Sequence, residues 1–305
     1  MQTAPEPTRD PRARRPRPAA RALALALLAL PLLACSPSDR VNVETSTNVA
    51  TPSHAPETAA APATPTTAGV ARAQDKGDFK VAPREPEADM TAGERKDYEE
   101  ELKSLRETAD ALNKSFALPH DIFIGFDNCE EANAFYDPER KTVTVCYELA
   151  EDLYEAFKKD YKTDAQVEDA VTNATTFVFF HELGHALVDA YDLPITGREE
   201  DAVDQLSVLL LADGTEEGER MVLDAAVSFS KQAGGELDEL AFADEHSLDQ
   251  QRYYNIVCLL YGQDEEKFAS LVRDGTLPGS RAERCSDEFA RVDKAWDALL
   301  APYTK

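Results

Sequence analysis

The most restrictive feature of the sequence is a pair of histidines inside an apolar, helix-forming run. His181 and His185 form the pattern H-E-x-x-H with Glu182, which is the only charged residue between positions 176 and 188. Residues four apart lie about one turn above each other on a helix, so both imidazoles share one face. Because buried polar groups need partners, the run predicts a buried helix whose imidazoles bind a metal ion.

The spacing also predicts the chemistry of that ion. Two imidazoles one turn apart can bind one zinc ion at about 2.0–2.1 Å. Glu182 lies about 100° round the helix from His181, so its carboxylate can reach a water at the ion without binding the ion itself. A general base needs that position. We therefore expect one Zn²⁺ per chain, bound by His181 and His185, with Glu182 as the catalytic base.

A zinc site of this kind needs a third protein ligand. Val188 and Tyr191 stand where the metzincin pattern has glycine and histidine, which excludes that class. Glu200 and Asp204 lie downstream, four residues apart, and resemble the E-x-x-x-D of gluzincins. This resemblance implies that Glu200 is the third ligand and that Asp204 accepts the Nδ1–H of His181. The neighbouring Glu199 is the alternative ligand.

Hydrolysis at such a site also needs a donor for the developing oxyanion. His246 is our candidate for this role, because other gluzincins use a histidine or tyrosine there. The alternatives in the sequence are Arg198, Tyr253 and Tyr254. A surface or capping role for His246 is equally open from the sequence.

A family resemblance rests on several segments: NAFYDPERKTVTVCYEL, FFHELGHALVD, LPITGREEDAVDQL, HSLDQQRYYNIVCLLYG and RAERC. Together they resemble a bacterial family of putative metallopeptidases, otherwise a domain of unknown function, over roughly residues 95–305. The broader similarity to gluzincins implies a zincin-like fold with the active-site helix packed on a small sheet. It also implies a peptidase that acts on peptide or protein substrates.

The chain divides near residue 90. Of its 18 prolines, only Pro119, Pro138, Pro194, Pro278 and Pro302 lie beyond that point. Residues 36–90 are rich in Ala, Pro and Thr and have few large apolar side chains, so they cannot offset their ordering entropy by burial. We predict a disordered tether there and a zincin-like metallopeptidase domain over residues 91–305.

The N-terminus resembles an export signal. A basic segment precedes the apolar residues 22–34, which are too short to span a bilayer but suit a signal sequence. Leu32-Leu33-Ala34-Cys35 resembles a bacterial lipobox. Residues 1–35 are therefore predicted to be a lipoprotein-type signal peptide, and Cys35 the lipidated residue of a cell-envelope lipoprotein held at the membrane through its N-terminal lipid. An ordinary cleaved signal, which would make the protein secreted, is the alternative.

The secondary-structure pattern predicts an α+β domain that is mostly helical. Thr91 and Glu94 form a capping box at the start of a helix. A strand is expected at 122–124, and a hairpin joins 134–136 to 142–145. We expect arm 142–146 to present a free edge to an extended substrate. Further helices are predicted at roughly 148–160, 164–191, 199–212, 217–232, 247–261 and 282–300.

The four cysteines of the body predict disulfides, because an exported chain meets an oxidising compartment. Sequence proximity favours Cys129 with Cys146 and Cys258 with Cys285. The formal net charge of −26 disfavours nucleic acid as a partner. Two other functions stay open: a catalytically silent zincin-fold lipoprotein with a binding role, and a structural envelope protein without metal.

Overall fold

A computed structural model of the chain describes residues 73–83, 90–232 and 242–305. The predicted signal peptide, with Cys35, and most of the predicted tether lie outside the described residues. Within the described ranges, the structure contains no helix with the length and apolar character needed to cross a membrane.

The described residues form an α+β domain that is mostly helical, which confirms the predicted fold class. The strands are β1 (Phe79–Val81), β2 (Ile122–Asp127), β3 (Ala134–Asp137) and β4 (Thr142–Cys146). The helices are α1 (Ala92–Ser115), α2 (Tyr147–Phe157), α3 (Asp164–Tyr191), α4 (Glu199–Leu211), α5 (Glu216–Gln232), α6 (Asp249–Gln263), α7 (Ala269–Arg273), α8 (Gly279–Ala282) and α9 (Cys285–Leu300). The capping box of Thr91 and Glu94 begins α1 as predicted.

The four strands form one mixed sheet in the order β1-β2-β4-β3. β2 is parallel to both β1 and β4, whereas β3 is antiparallel to β4, with Tyr136 opposite Val143. The predicted hairpin is therefore present. The expectation that arm 142–146 presents the free edge was wrong, because β2 covers that side of β4. The edge strand of the hairpin is β3.

The domain extends further toward the N-terminus than the boundary expected at residue 91. Phe79 in β1 is 2% exposed, and its backbone N–H donates to Asn113 Oδ1 on α1 at 2.7 Å. β1 is only three residues long and has no pattern of its own. Its structure depends on pairing with β2, which explains why the composition of residues 36–90 gave no sign of it.

Helix α3 lies at the centre of the domain. It packs against α2, α4 and α5, and against strands β3 and β4 of the sheet. Such a helix must be apolar nearly all round. Gly184 allows α4 to approach closely, since a Cβ at this position would lie 2.7 Å from Cβ of Val203. The glycine of the H-E-L-G-H segment therefore brings α4 against the histidine-bearing face of α3.

Both cysteine pairings favoured by sequence proximity are formed. Cys129 bonds Cys146 and Cys258 bonds Cys285, with Cα atoms 5.5 and 5.2 Å apart. The first disulfide ties the segment before β3 to the end of β4. The second ties α6 to the start of α9.

Candidate metal centre

The site is built around the carboxylate of Glu200, in the first turn of α4. Nε2 of His181 lies 3.0 Å from Glu200 Oε2, and Nε2 of His185 lies 3.3 Å from Glu200 Oε1. His246, in the segment before α6, places its Nε2 3.0 Å from Glu200 Oε2. Three imidazoles from two parts of the chain therefore point the same ring nitrogen at one carboxylate.

The other ring nitrogen of each imidazole also faces a carboxylate. Nδ1 of His181 lies 2.8 Å from Asp204 Oδ1, and Nδ1 of His185 lies 2.8 Å from Glu199 Oε1. The first of these is the contact that the gluzincin resemblance implies. A carboxylate at Nδ1 fixes the tautomer and the ring orientation, and leaves Nε2 free to bind a metal. Glu199 thus faces Nδ1, whereas Glu200 faces Nε2.

Two of the separations between these atoms are close to those expected at a zinc ion. In a tetrahedral site with bonds of about 2.0–2.1 Å, neighbouring ligand atoms lie about 3.3 Å apart. The contacts of Glu200 with His181 and His185, at 3.0 and 3.3 Å, are close to that value. Imidazole nitrogen and carboxylate oxygen are both ordinary zinc ligands. His181, His185 and Glu200 therefore suit the predicted ion in atom type. The two imidazoles contact different oxygens of Glu200, and the ligand atoms that all lie within 4.8 Å of one another are those of His181, Glu200 and His246.

Glu182 is buried beside these residues, and within the described part of the chain it forms none of the ion pairs that Glu200 forms. Glu182 is 8% exposed, and burial raises the pKa of its carboxyl group. The backbone N–H of Tyr136, on the edge strand β3, donates a hydrogen bond to the same carboxylate. Since a raised pKa favours uptake of a proton, the position suits a general base.

The charges of Glu200 and the imidazoles stabilise each other. Burial raises the pKa of Glu200, but the hydrogen bonds from His181, His185 and His246 outweigh burial and lower it well below its usual range. Burial lowers the pKa of His185, but the hydrogen bonds to Glu200 and Glu199 outweigh burial and raise it to about 9. The pocket is therefore arranged to hold positive charge next to the Glu200 carboxylate.

Arg252 on α6 belongs to the site and was missed by the sequence analysis. Its Nη2 lies 2.8 Å from Asp204 Oδ1 and its Nε 2.8 Å from Asp204 Oδ2, a bidentate pair in which Asp204 is 6% exposed. Arg252 thus orients the carboxylate that orients His181. The sequence contained one sign of this role: Arg252 is the only Lys or Arg between positions 232 and 266, so it is the only strong cation that this segment offers to a buried carboxylate.

The structure separates the four candidate oxyanion donors. His246 lines the cleft at the site, whereas Arg198 donates to the backbone carbonyl of His246 at 2.9 Å. Tyr253 and Tyr254 pack edge to face on α6, with ring centroids 5.0 Å apart, and neither is among the residues that line the cleft.

The site opens into a cleft of about 1100 Å³. One wall is the edge strand with its preceding residues, and Phe135 on this strand is 38% exposed. Residues from α2, α3 and α5 form another wall, and its apolar members are Leu149, Leu153, Val178 and Phe229. A cleft of this size can accept several residues of a peptide.

Comparison with known proteins places the domain in a family. A family model described as "Putative metallopeptidase" matches residues 85–300. No curated protein and no solved structure shows significant similarity to the chain.

Proposed function

Since the chain belongs to this putative metallopeptidase family, we propose that it is a zinc-dependent peptidase with a gluzincin-like set of ligands. The observation that carries the proposal is the convergence of Nε2 of His181 and His185 on the Glu200 carboxylate, beside the buried Glu182. Glu200 is the third ligand in this proposal, because it faces Nε2 of the imidazoles, whereas Glu199 faces Nδ1 of His185.

Glu182 performs the proton transfers in the proposed reaction. When bound, a zinc ion in this site would lower the pKa of a water toward about 7 and polarise a carbonyl group. The Glu182 carboxylate accepts a proton from the attacking water and then delivers it to the nitrogen of the leaving amine. Asp204, held by Arg252, keeps the ring of His181 in place through both steps.

The edge strand β3 is the proposed docking site for the substrate. Its pairing with β4 leaves the backbone groups of alternate residues on the side away from β4, and the N–H of Tyr136 reaches Glu182. An extended peptide can add to such an edge through backbone hydrogen bonds alone. The scissile bond would then lie next to the carboxylate that receives the proton.

We further propose that the enzyme acts at the cell envelope. The basic segment, the apolar residues 22–34 and Cys35 support export and lipidation of the chain. Metabolic labelling with a fatty-acid probe would detect the lipid, and a Cys35→Ser variant should lose the label and leave the membrane fraction. Labelling that persists in this variant would contradict lipidation at Cys35.

Metal content tests the site directly. In the full chain, elemental mass spectrometry should give about one zinc per molecule, markedly reduced in Glu200→Ala and kept in Glu199→Ala. A Glu182→Gln variant should keep its zinc and lose at least about 100-fold in the rate of peptide cleavage. Glu168→Gln, on the same helix α3, is the matched control and should cleave at the normal rate.

The zinc content and the cleavage rate of the unmodified protein also distinguish the two alternative functions. Zinc with no cleavage in the unmodified protein would indicate a silent zincin scaffold with a binding role. Absence of zinc, even after zinc is added, would indicate a structural protein and would contradict the proposed enzyme.

A further inference from the structure

His246 approaches the metal centre from a different part of the chain than the other two imidazoles. Its Nε2 is 3.0 Å from Glu200 Oε2, the same distance as that of His181. Ligand atoms of His181, Glu200 and His246 all lie within 4.8 Å of one another. Because neighbouring ligands of tetrahedral zinc are about 3.3 Å apart, the position of His246 fits a ligand of the same ion.

The second ring nitrogen of His246 supports a ligand role. Nδ1 lies 3.1 Å from Asp244 Oδ1, and the backbone N–H of His246 donates to the same oxygen at 2.8 Å. If Nδ1 carries the proton of the neutral ring, Nε2 has a free lone pair, which binds a metal and does not donate. His246 thus repeats the arrangement of His181 and His185, each with a carboxylate at Nδ1.

The segment that carries His246 is fixed to the start of α4, the element that carries Glu200. Arg198 donates to the carbonyl of His246 at 2.9 Å. Ser247 Oγ donates to Asp201 Oδ1 at 2.7 Å. These two bonds, from residues on either side of Glu200 in sequence, hold the segment of His246 against the start of α4.

We propose that His246 is a fourth protein ligand of the metal in the resting protein. This inference rests on the proposed zinc site and adds one residue to it. Four protein ligands fill a tetrahedral shell, whereas a catalytic zinc keeps one position open. The side chain of His246 is 40% exposed, against 4% for His181 and 16% for His185, so His246 is the ligand that can leave.

The consequence is a latent resting state. With His246 bound, the ion would have no open position for water. Withdrawal of Nε2 would open that position and free the ring to donate to an oxyanion. In this proposal the side chain of His246 has two positions. In the first it binds the metal, and in the second it serves as the predicted oxyanion donor.

Zinc affinity and a spectroscopic signal separate the ligand role from a donor role. The full chain and its variants His246→Ala and His246→Gln would be titrated with zinc against a chromogenic chelator. Both variants should raise the Kd for zinc about 10-fold or more. In the Co²⁺-substituted proteins the visible bands should shift, because water replaces a nitrogen ligand. His120→Ala, a histidine variant outside the cleft, should match the unmodified protein in both measurements.

The two histidine variants also distinguish this inference from the proposed peptidase. Unchanged Kd and unchanged Co²⁺ bands in both variants would overturn the ligand role, even with peptide cleavage lost, because only a donor role would remain. Absence of zinc in the unmodified protein would overturn both proposals.

An Asp244→Asn variant tests the ligand role even if the His246 variants do not fold. It leaves the imidazole of His246 in place and changes only the partner of its Nδ1 atom. It should raise the Kd for zinc by a smaller factor. Circular dichroism of all the metal-free proteins should be the same. An unchanged Kd in Asp244→Asn, together with an unchanged Kd in any folded His246 variant, would contradict the proposal.

Discussion

Helix α3 carries two buried polar clusters, and only one of them has the features of a metal site. The asparagine cluster consists of Asn173, Asp224 and Tyr161. Asp224 Oδ2 accepts from Asn173 Nδ2 at 2.6 Å, and Asp224 Oδ1 accepts from the Tyr161 hydroxyl at 3.0 Å. Each carboxylate oxygen therefore has its own donor within the protein.

The histidine cluster is made of His181, His185, Glu200 and Asp204, and its two histidines follow Asn173 about two and three turns later on the same helix. Here three Nε2 atoms, one of them from His246, crowd around a single carboxylate. Pairwise bonds are enough for a structural cluster, as in the asparagine cluster. The convergence of several ligand atoms on one point indicates a site for a cation.

An arginine pairs with the aspartate of each cluster, and removal of the two arginines should have very different effects. Arg252→Met removes the bidentate partner of the buried Asp204, which should lower the free energy of unfolding by about 3–5 kcal/mol and weaken zinc binding about 10- to 100-fold. Arg220 lies 3.7 Å from Asp224 and its side chain is 59% exposed. Arg220→Met should cost less than about 1 kcal/mol and leave zinc binding unchanged.

Chemical denaturation and zinc titration of both arginine variants would measure this contrast. Equal losses of unfolding free energy in the two variants would show that the burial of the Arg252–Asp204 pair does not make it more important for stability than the exposed Arg220.

Chelation should destabilise the protein through the histidine cluster alone. A ligand present at 100 times its Kd stabilises the folded state by about 2.7 kcal/mol, so EDTA should lower the Tm of the zinc-loaded protein. The Glu200→Ala variant should show a much smaller shift in calorimetry, because the loss of this ligand weakens zinc binding. A shift of the same size in Glu200→Ala would place the stabilising metal elsewhere.

Gly184→Ala should disturb the histidine cluster through packing. The new methyl group would press on Val203, between Glu200 and Asp204 on α4, and push that helix away from α3. We expect a loss of about 1–3 kcal/mol in unfolding free energy together with weaker zinc binding. Gly93→Ala, at the exposed start of α1 with its nearest contact at 3.9 Å, is the control and should change neither quantity appreciably.

Tyr161→Phe should have the smallest effect. Burial and the neighbouring Asp224 raise the pKa of Tyr161 to about 12, so its hydroxyl is protonated and donates to Asp224. Loss of this one hydrogen bond should cost about 0.5–1.5 kcal/mol in thermal denaturation. Zinc binding and peptide cleavage should stay the same. A change in zinc affinity would mean that the two clusters are coupled through α3.

Much of the fold was predictable, because it follows from local patterns. The helical periodicity gave α3, α4, α5, α6 and α9 to within a few residues, but it did not predict the short helices α7 and α8. The two β-prone runs gave the hairpin. The position of β1 was not predictable, since its three residues become a strand only by pairing with β2. The free edge of the hairpin was misassigned for the same reason, because it depends on which strand lies beside β4.

The sequence by itself determined the parts of the site that depend on spacing within one helix. The four-residue interval between His181 and His185 puts both imidazoles on one face of α3, and the same interval relates Glu200 to Asp204 on α4. Disulfide pairing also followed from proximity along the chain.

Only the tertiary structure decided which distant groups complete that site. Arg252 meets Asp204 across 48 residues, and His246 reaches Glu200 because Arg198 and Ser247 fix its segment to α4. Periodicity reports the face on which a side chain lies, but contains no information about which helix packs against that face. Those contacts are set by the packing of α3, α4 and α6, in which the absence of a side chain at Gly184 lets two helices meet.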